Sequence, residues 1–369
     1  MSQLLFRLSK LSSRNNVLIH KSVRLFSTSP FLTLGIFGDD KSGASSKCIG
    51  DVLFFDPSKE QLAGVPDKII PEDLVDLKLV GASHGWQFLS DRCNHSCVRI
   101  TDLFNPWASK SNTKIITLPP LTTLRYGQTK VVWNVAMSSP SPDHQDSEEE
   151  DCVVAIKFLG RQLSMCRPGH DLVWTNKLVP FDCSENSNIM FSKRDQRFYL
   201  PAPGGNYLCS WDLHFNNDPK FYELVFPNLP ELPQFAWEHL NSCFREDHWV
   251  ESPSGQSFLV KWYSRVPPRR CKDPIVMVFR EDQVTEDGTR NMCYTEDIGD
   301  LCIFLSKSEP FCVAASSCPG LKPNSVYLMG RCFAVCDLTT GDAHHFSLPP
   351  KGSPESVPFL PYWLPPLSV

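Results

Sequence analysis

Residues 333–350 read FAVCDLTTGDAHHFSLPP. A β-rich run ends in Asp337-Leu338, a Thr-Thr-Gly-Asp turn follows, and a second short run leaves through two prolines. An aspartate at the end of a strand can cap the following turn with its side chain, while the flanking apolar residues alternate into a core. The segment therefore predicts a β-hairpin with a capped turn.

The same pattern occurs in two other parts of the chain. Residues 98–120 read VRITDLFNPWASKSNTKIITLPP, and residues 207–230 read YLCSWDLHFNNDPKFYELVFPNLP. Hairpins that recur along a chain are typical of propeller blades of roughly 40–50 residues. We expect an all-β, kelch-like β-propeller of about six or seven four-stranded blades; a large β-sandwich would share part of the pattern. Helical periodicity is scarce, and residues 235–245 are the one candidate for a short helix.

Composition agrees with a globular protein of many short strands. The chain has 369 residues, of which 41% are hydrophobic, 21% are charged and 31 are proline. No run approaches the roughly 20 consecutive apolar residues that a membrane-spanning helix needs, so we expect no membrane insertion. The 15 cysteines are scattered, and several lie in apolar runs. In a large domain without a secretory signal, this pattern favours free thiols.

The N-terminus has the composition of an organellar transit peptide. The first acidic residue is Asp39. The opening is rich in serine, and five basic residues precede that aspartate: Arg7, Lys10, Arg14, Lys21 and Arg24. A basic, Ser-rich, acid-free opening is typical of presequences. We expect import into the mitochondrial matrix, with the chloroplast as the alternative.

The presequence is expected to be cleaved between Phe26 and Ser27, because Arg24 stands in the minus-three position of mitochondrial cleavage sites. The predicted organisation is then a transit peptide at 1–26, a linker at 27–47 and a propeller-like domain at 48–369. Removal of residues 1–26 takes away five of the 36 basic residues and none of the 41 acidic ones, which leaves a formal charge of −10. An acidic chain is unsuited to sequence-blind nucleic-acid binding.

One segment interrupts the β pattern. Residues 138–151 read SSPSPDHQDSEEED and contain no apolar side chain that could anchor them. Such a composition predicts a disordered, solvated loop between two strands. A docking segment for a basic partner is the alternative.

Several segments resemble one family. Residues 297–305 (DIGDLCIFL), 311–313 (FCV) and 319–327 (PGLKPNSVY) resemble the C-terminal signature of the plant domain of unknown function 295 family, whose members are associated with F-box and kelch-like proteins. Residues 83–86 (SHGW) and 361–365 (PYWLP) resemble its first blade and its C-terminal end. The resemblance implies a propeller-like fold without assigned catalytic residues. An N-terminal F-box is not apparent, so this chain resembles an organelle-targeted branch, and we expect no ubiquitin-ligase adaptor role.

The candidate chemical clusters are weak. Residues 93–97 (CNHSC) lack the second half-site that structural zinc needs, and a hairpin turn is the better interpretation. His344 and His345 are neighbours on a predicted strand and point to opposite faces, so they cannot share a metal. No phosphate-binding loop, nucleophile elbow or zinc-protease motif occurs. We therefore expect no catalytic residue, metal or cofactor.

One basic segment contains aromatic residues. Stacking of an aromatic ring on a base and pairing of arginines with phosphates would bind RNA. The candidate residues are Lys261, Trp262, Tyr263, Arg265, Arg269, Arg270 and Lys272. The competing interpretation is a strand whose aromatic side chains enter the core.

The function expected from the sequence is a non-catalytic protein-interaction module with an unknown protein partner. An RNA-associated organellar factor that uses the segment 261–272 is one alternative. A propeller enzyme with a dispersed active site in the central channel is the other.

Overall fold

The computed structural model describes residues 29–38, 48–74, 77–91, 97–142, 152–181, 187–215, 217–264, 274–347 and 361–366. Within these ranges about half of the residues lie in β-strands, and the helices are few and short. The predicted cleavage site at Phe26 and Ser27 lies outside them.

The first sheet begins earlier than the sequence predicts. Its three consecutive strands pair antiparallel in chain order: β1 (Phe31–Gly38), β2 (Cys48–Asp56) and β3 (Gln61–Ile70). The prediction of a linker over 27–47 is therefore wrong for β1. Phe31 and Leu32 are buried because their strand lies inside the sheet, although the preceding residues read as a presequence.

The second and third sheets are four-stranded antiparallel meanders. The second contains β4 (Leu77–Ser83), β5 (Trp86–Asp91), β6 (Val98–Thr101) and β7 (Ile115–Thr117). The third contains β8 (Val132–Met137), β9 (Val154–Phe158), β10 (Gln162–Cys166) and β11 (Thr175–Leu178). The β4–β5 turn is only His84-Gly85, and both residues have positive φ, which matches the twist of a two-residue hairpin.

The fourth sheet has nine strands. Its first half comprises β12 (Ser187–Asn188), β13 (Met190–Ser192), β14 (Arg197–Pro201), β15 (Tyr207–Asp212) and β16 (Lys220–Val225). Helix α1 (Gln234–Asn241) leads to the second half: β17 (Phe244–Glu251), β18 (Ser257–Ser264), β19 (Ile275–Val284) and β20 (Arg290–Thr295). Parallel pairing of β16 with β20 joins the two halves at their edges, and β12 pairs with β17.

The fifth sheet has the order β22-β21-β23-β24-β25. Its strands are β21 (Leu301–Leu305), β22 (Phe311–Ala314), β23 (Ser325–Met329), β24 (Phe333–Asp337) and β25 (Ala343–His345). The last strand of the chain, β26 (Trp363–Leu364), pairs with β1 and completes the first sheet as a fourth strand. Both ends of the described chain therefore share one sheet.

The inner strands of the sheets form a ring. Strand β4 lies beside β8, β8 beside β13, β13 beside β17, and β17 beside β22. The first sheet completes the ring, because apolar cores pack it against the fifth sheet on one side and the second sheet on the other. Near the centre, the Glu309 amide also donates to the Ala82 carbonyl at 2.9 Å. Apolar cores fill the spaces between adjacent sheets, as between the second and third. The protein is therefore an all-β propeller.

The sheets are fewer and less uniform than predicted. The described residues form five hydrogen-bonded sheets instead of six or seven separate four-stranded ones. The physical reason is the β16–β20 pairing, which merges two antiparallel meanders into one sheet. The turn residues in the sequence do not indicate that the edge strands β16 and β20 pair with each other.

The aspartate-capped turns are confirmed. Asp102 accepts a hydrogen bond from the Lys114 amide at 2.8 Å. Asp337 accepts from the Thr339 amide at 2.8 Å, and Asp212 accepts from the amides of the two residues at 214 and 215. The three turns join β6 to β7, β15 to β16 and β24 to β25. The repeat therefore marks the last hairpin of three meanders.

The predicted helix is present but shorter. Helix α1 ends at Asn241 instead of 245 because Phe244 already pairs with Ser264 at the start of β17. Two single-turn 3-10 helices, Glu72–Leu74 and Ala315–Ser317, complete the helical structure of the described residues.

Candidate functional site at the centre of the ring

The segment that joins β21 to β22, residues 306–310, enters the centre of the ring. Ser306 accepts a hydrogen bond from the Trp363 amide at 3.1 Å, and Ser308 donates to the Trp363 carbonyl at 3.3 Å. The C-terminal strand β26 thus holds this segment in place. Two of its charged side chains, Lys307 and Glu309, contact the inner strands of other sheets.

Glu309, which follows β21 of the fifth sheet, is hydrogen-bonded to the second, third and fourth sheets. Its carboxylate accepts hydrogen bonds from the Phe191 amide at 2.7 Å, the Met137 amide at 3.3 Å and the Ser83 hydroxyl. These donors belong to β13, β8 and β4, the inner strands that surround the centre. Three donors satisfy most of the acceptor capacity of one carboxylate.

The environment of Glu309 changes its titration. Burial raises the pKa of its carboxyl to about 7, although the Ser83 hydroxyl and the two amides favour the ionised form. Lys193 is the nearby cation that favours ionisation. In the adjacent turn, burial lowers the pKa of His84 to about 4. Glu309 is therefore the group in this region whose charge changes near neutral pH.

A second group of charges lies around Lys307. Its ammonium is 3.5 Å from the centre of the Trp133 ring, which is a cation–π contact. Glu246 lies between Arg331, at 3.5 Å, and His248, at 3.8 Å. Burial lowers the pKa of Lys307, and the negative charge of Glu246 opposes this effect.

His248 is neutral at physiological pH. It is 1% exposed, and burial together with the charge of Lys307 lowers its pKa to about 3. Its Nε2 lies 3.5 Å from the Asn188 amide nitrogen, and its Nδ1 has no hydrogen-bond partner among the described residues. The group around Lys307 thus combines two cations, one carboxylate and a neutral imidazole.

Sequence reasoning did not single out Trp133, Glu246, His248, Lys307 or Glu309. Residues 301–313 (LCIFLSKSEPFCV) contain one signal, because two charged residues, Lys307 and Glu309, lie between two otherwise apolar strands. Nothing in the sequence indicates that these charges meet residues from β8, β13 and β17. Within the described ranges, no three His, Cys, Asp or Glu side chains are placed to hold a metal ion.

The residues predicted to contact RNA are placed differently from that prediction. Lys261, Trp262 and Tyr263 lie in β18 and are 8%, 3% and 9% exposed. Trp262 packs in the core between the second half of the fourth sheet and the fifth sheet, and Tyr263 packs in the core on the opposite face. Their rings are not available for stacking on a base. Arg265, Arg269, Arg270 and Lys272 lie outside the described residues.

Lys261 has an unusual environment for a lysine. Its ammonium lies over the rings of Phe226, at 4.6 Å, and Phe279, at 5.2 Å. Burial lowers its pKa to about 8, and the negative charge of Asp247 raises it in opposition. Lys261 therefore acts as a packing residue between the two halves of the fourth sheet.

The other predicted motifs behave as local structure. The Nε2 atom of His344 lies 2.9 Å from a carboxylate oxygen of Glu60 on the surface. The predicted loop 138–151 begins after β8; its described residues 138–142 are anchored, since the Pro140 carbonyl accepts from the Trp86 indole at 2.8 Å. Residues 143–151, Cys93 and His95 lie outside the described residues. No helix in the described chain has the length and apolarity to cross a membrane.

An exposed apolar strip lies on the fourth sheet and on the segment that follows β16. Because Tyr207 pairs with Glu223, its side chain shares a face with Phe221 and Val225. Leu229 and Phe235 follow in the connection to β17 and are 55% and 72% exposed. We call these five residues the apolar strip.

A family model described as KIB1-4 beta-propeller matches residues 54–352. No curated protein sequence is detectably similar to the chain. Among solved structures, the N-terminal domain of Nup159 is 12% identical, with 77% of this chain and 66% of that chain covered and a TM-score of 0.31.

Two further solved structures are similarly distant. Apo AztD from Citrobacter koseri is 10% identical, with 66% and 60% covered and a TM-score of 0.32. Kluyveromyces lactis Hsv2 is 10% identical, with 68% and 82% covered and a TM-score of 0.32. This chain thus spans less than two thirds of the length of the first two structures. Likenesses this distant carry no information about activity.

Proposed function

Because this chain belongs to the KIB1-4 beta-propeller family, we propose that it is a non-catalytic protein-interaction module of the mitochondrion that docks a partner on the apolar strip. The observation that carries the proposal is the exposure of Tyr207, Phe221, Val225, Leu229 and Phe235 along one stretch of the chain. Exposed apolar residues that are scattered singly are common, whereas Tyr207, Phe221 and Val225 share one face of the sheet, and such a grouping is typical of an interaction site.

The strip is built on a rigid support. The opposite face of β15 and β16 is buried through Leu208 and Leu224, which pack in the core between the two halves of the sheet. Strand β16 is paired on both sides, with β15 and with β20, so it offers side chains to a partner and no free backbone edge. A partner would therefore be recognised through apolar side-chain contacts.

Charge indicates the chemistry of the partner segment. Three exposed carboxylates, those of Glu223, Glu231 and Glu238, accompany the strip. The chain as a whole carries a formal charge of −5. We propose that the partner presents apolar side chains flanked by Lys or Arg, because opposite charges at the rim of an interface favour association and register.

Three finer statements belong to the same proposal. Counting each half of the nine-stranded sheet as a blade makes a six-bladed propeller. The basic, acid-free opening directs the chain to the mitochondrial matrix. The C-terminal motifs resemble those of the plant domain of unknown function 295 proteins, and we propose that the chain is related to them. The first statement rests on the meander pattern of the sheets, and the other two rest on sequence composition and motifs.

Glu309 is the residue that would support an enzyme instead, since a carboxyl with a pKa of about 7 suits a general base. Its oxygens, however, already accept from the Phe191 and Met137 amides and the Ser83 hydroxyl. A base occupied by three protein donors is poorly placed to take a proton from a substrate. We therefore assign Glu309 a structural role.

Proximity labelling in plant cells, with the tag at the C-terminus so that the presequence stays free, tests the proposal. A reproducible set of matrix proteins should label with the natural chain and should be lost with the double substitution Phe221→Ser and Val225→Ser. The matched control is Tyr126→Ser, because Tyr126 is also exposed but lies in the connection between β7 and β8.

Either of two results would overturn the proposal that the apolar strip docks a mitochondrial partner. Labelling that is unchanged by the double substitution removes the strip as the docking surface. A set dominated by cytosolic proteins removes the mitochondrial location.

A further inference from the structure

The centre of the ring contains polar groups whose hydrogen-bonding capacity is not used by the described residues. We propose that this centre is a binding site for a small carboxylate anion, held by Lys307 with Trp133, His248 and Arg331 around it. The site is distinct from the apolar strip, and it goes beyond the protein-docking function.

Two N–H donor groups at the centre, the Lys307 ammonium and the Trp133 indole, have no acceptor among the described residues. An ammonium has three N–H groups, yet the contact of Lys307 with described residues is the face of the Trp133 ring, which satisfies none of them in the usual geometry. The indole Nε1 of Trp133 is buried and has no hydrogen-bond partner in the described chain. Buried polar groups in folded proteins are almost always paired with protein, water or ligand.

His248 is a buried imidazole with one ring nitrogen that the described residues leave unused. His248 is 1% exposed, and its Nδ1 has no partner among the described residues. The neighbouring Asn188 side chain and Glu246 lie on the side of Nε2. A neutral imidazole can present N–H at Nδ1 when Nε2 accepts, which adds one more donor to the centre.

Charge balance selects an anion. Lys307 and Arg331 carry two positive charges, Glu246 carries one negative charge, and His248 is neutral. Glu309, two residues from Lys307, has a pKa of about 7, so it is mostly protonated below that pH. Under those conditions one positive charge is left over in a partly buried place, where an uncompensated charge is unfavourable. A second cation would increase the imbalance, whereas a monoanion removes it.

A carboxylate fits this balance better than a phosphate. A carboxylate brings one negative charge and two acceptor oxygens, which matches the single excess charge and the free donors. Inorganic phosphate near neutral pH brings between one and two negative charges, which exceeds the single positive charge that is left over.

The test measures the 19F signal of a fluorinated Trp133 ring while a candidate anion is added. The full chain is labelled with 5-fluorotryptophan, the Trp133 signal is assigned with Trp133→Phe, and 19F spectra are recorded during titration with acetate, succinate or inorganic phosphate at constant ionic strength. We expect a saturable shift of the Trp133 signal with acetate or succinate. The signal of Trp237, which lies in helix α1, should stay unchanged.

Substitutions identify the group that binds. Lys307→Met should weaken binding at least tenfold, and Lys78→Met, at an exposed lysine of β4, should not change it. Shifts that do not saturate, equal binding by Lys307→Met, or tighter binding of phosphate than of either carboxylate would each overturn the proposal. If Lys307→Met does not fold, the natural chain is titrated with acetate in the presence of succinate. A single saturable shift of the Trp133 signal for which the two carboxylates compete supports the proposal, and the absence of competition overturns it.

Discussion

Substitution of Glu309 by glutamine should change how stability depends on pH. The carboxyl has a pKa of about 7 in the folded protein, against an ordinary value of 4.5. A group whose pKa is higher in the folded state binds its proton more tightly there, so its contribution to stability is present below about pH 4.5. That contribution is lost as the pH rises towards about 7, because the buried carboxyl must then ionise.

The magnitude follows from the pKa difference. One pKa unit corresponds to about 1.4 kcal/mol, so between pH 5 and pH 8 the natural protein should lose about 2.5 kcal/mol through this group. A glutamine side chain has nearly the shape of a protonated glutamic acid and does not titrate. The free energy of unfolding of Glu309→Gln should therefore rise relative to the natural protein by about 2.5 kcal/mol over this range.

Urea unfolding followed by tryptophan fluorescence at pH 5, 6, 7 and 8 measures the difference. The matched control is Glu286→Gln, since Glu286 is an exposed carboxylate in the turn between β19 and β20. Parallel pH profiles for Glu309→Gln and the natural protein would refute the reasoning, because the carboxyl would then titrate equally in the folded and unfolded states.

Three further outcomes are expected. Trp86→Ala should lower the free energy of unfolding by about 3–5 kcal/mol, since the ring is buried and its indole donates to Pro140 at 2.8 Å; an unchanged urea midpoint would contradict this. Arg290→Met should lower the free energy of unfolding by about 1.5–3 kcal/mol in the same assay, because buried Glu281 loses one charge-assisted hydrogen bond at 2.6 Å and keeps Arg194, also at 2.6 Å, whereas exposed Arg280→Met should have little effect. Replacement of Arg7, Lys10 and Arg14 in the proposed presequence by Gln should abolish uptake by isolated mitochondria, and normal uptake would contradict the proposed mitochondrial targeting.

Local features of the fold were predictable because their causes act within a few residues. Asp102, Asp212 and Asp337 cap their own hairpin turns, so the turns are readable from the sequence around them. The short helix near 235–245 and the burial of Cys332 and Cys336 were predictable for the same reason, since periodicity and apolar runs are local.

The burial of Lys261, Trp262 and Tyr263 was harder to predict. A strand with basic and aromatic residues can face solvent or lie between two sheets, and the sequence of the strand is the same in both cases. All eight residues of β18 are buried, because β18 lies in the interior of the nine-stranded sheet and cores cover both of its faces. The neighbours of the strand therefore decide its exposure.

By itself, the sequence determined that this protein is a chain of short β-hairpins with capped turns and an acid-free basic opening. Only the tertiary structure decided that the hairpins close into a ring, since Thr33 meets Tyr362 across 329 residues. Only the tertiary structure placed Lys307 and Glu309 at the centre of that ring, beside strands that are distant in the chain. The reason is physical: turn chemistry and side-chain alternation act over a few residues, whereas ring closure and the meeting of charges depend on every sheet packing against the next.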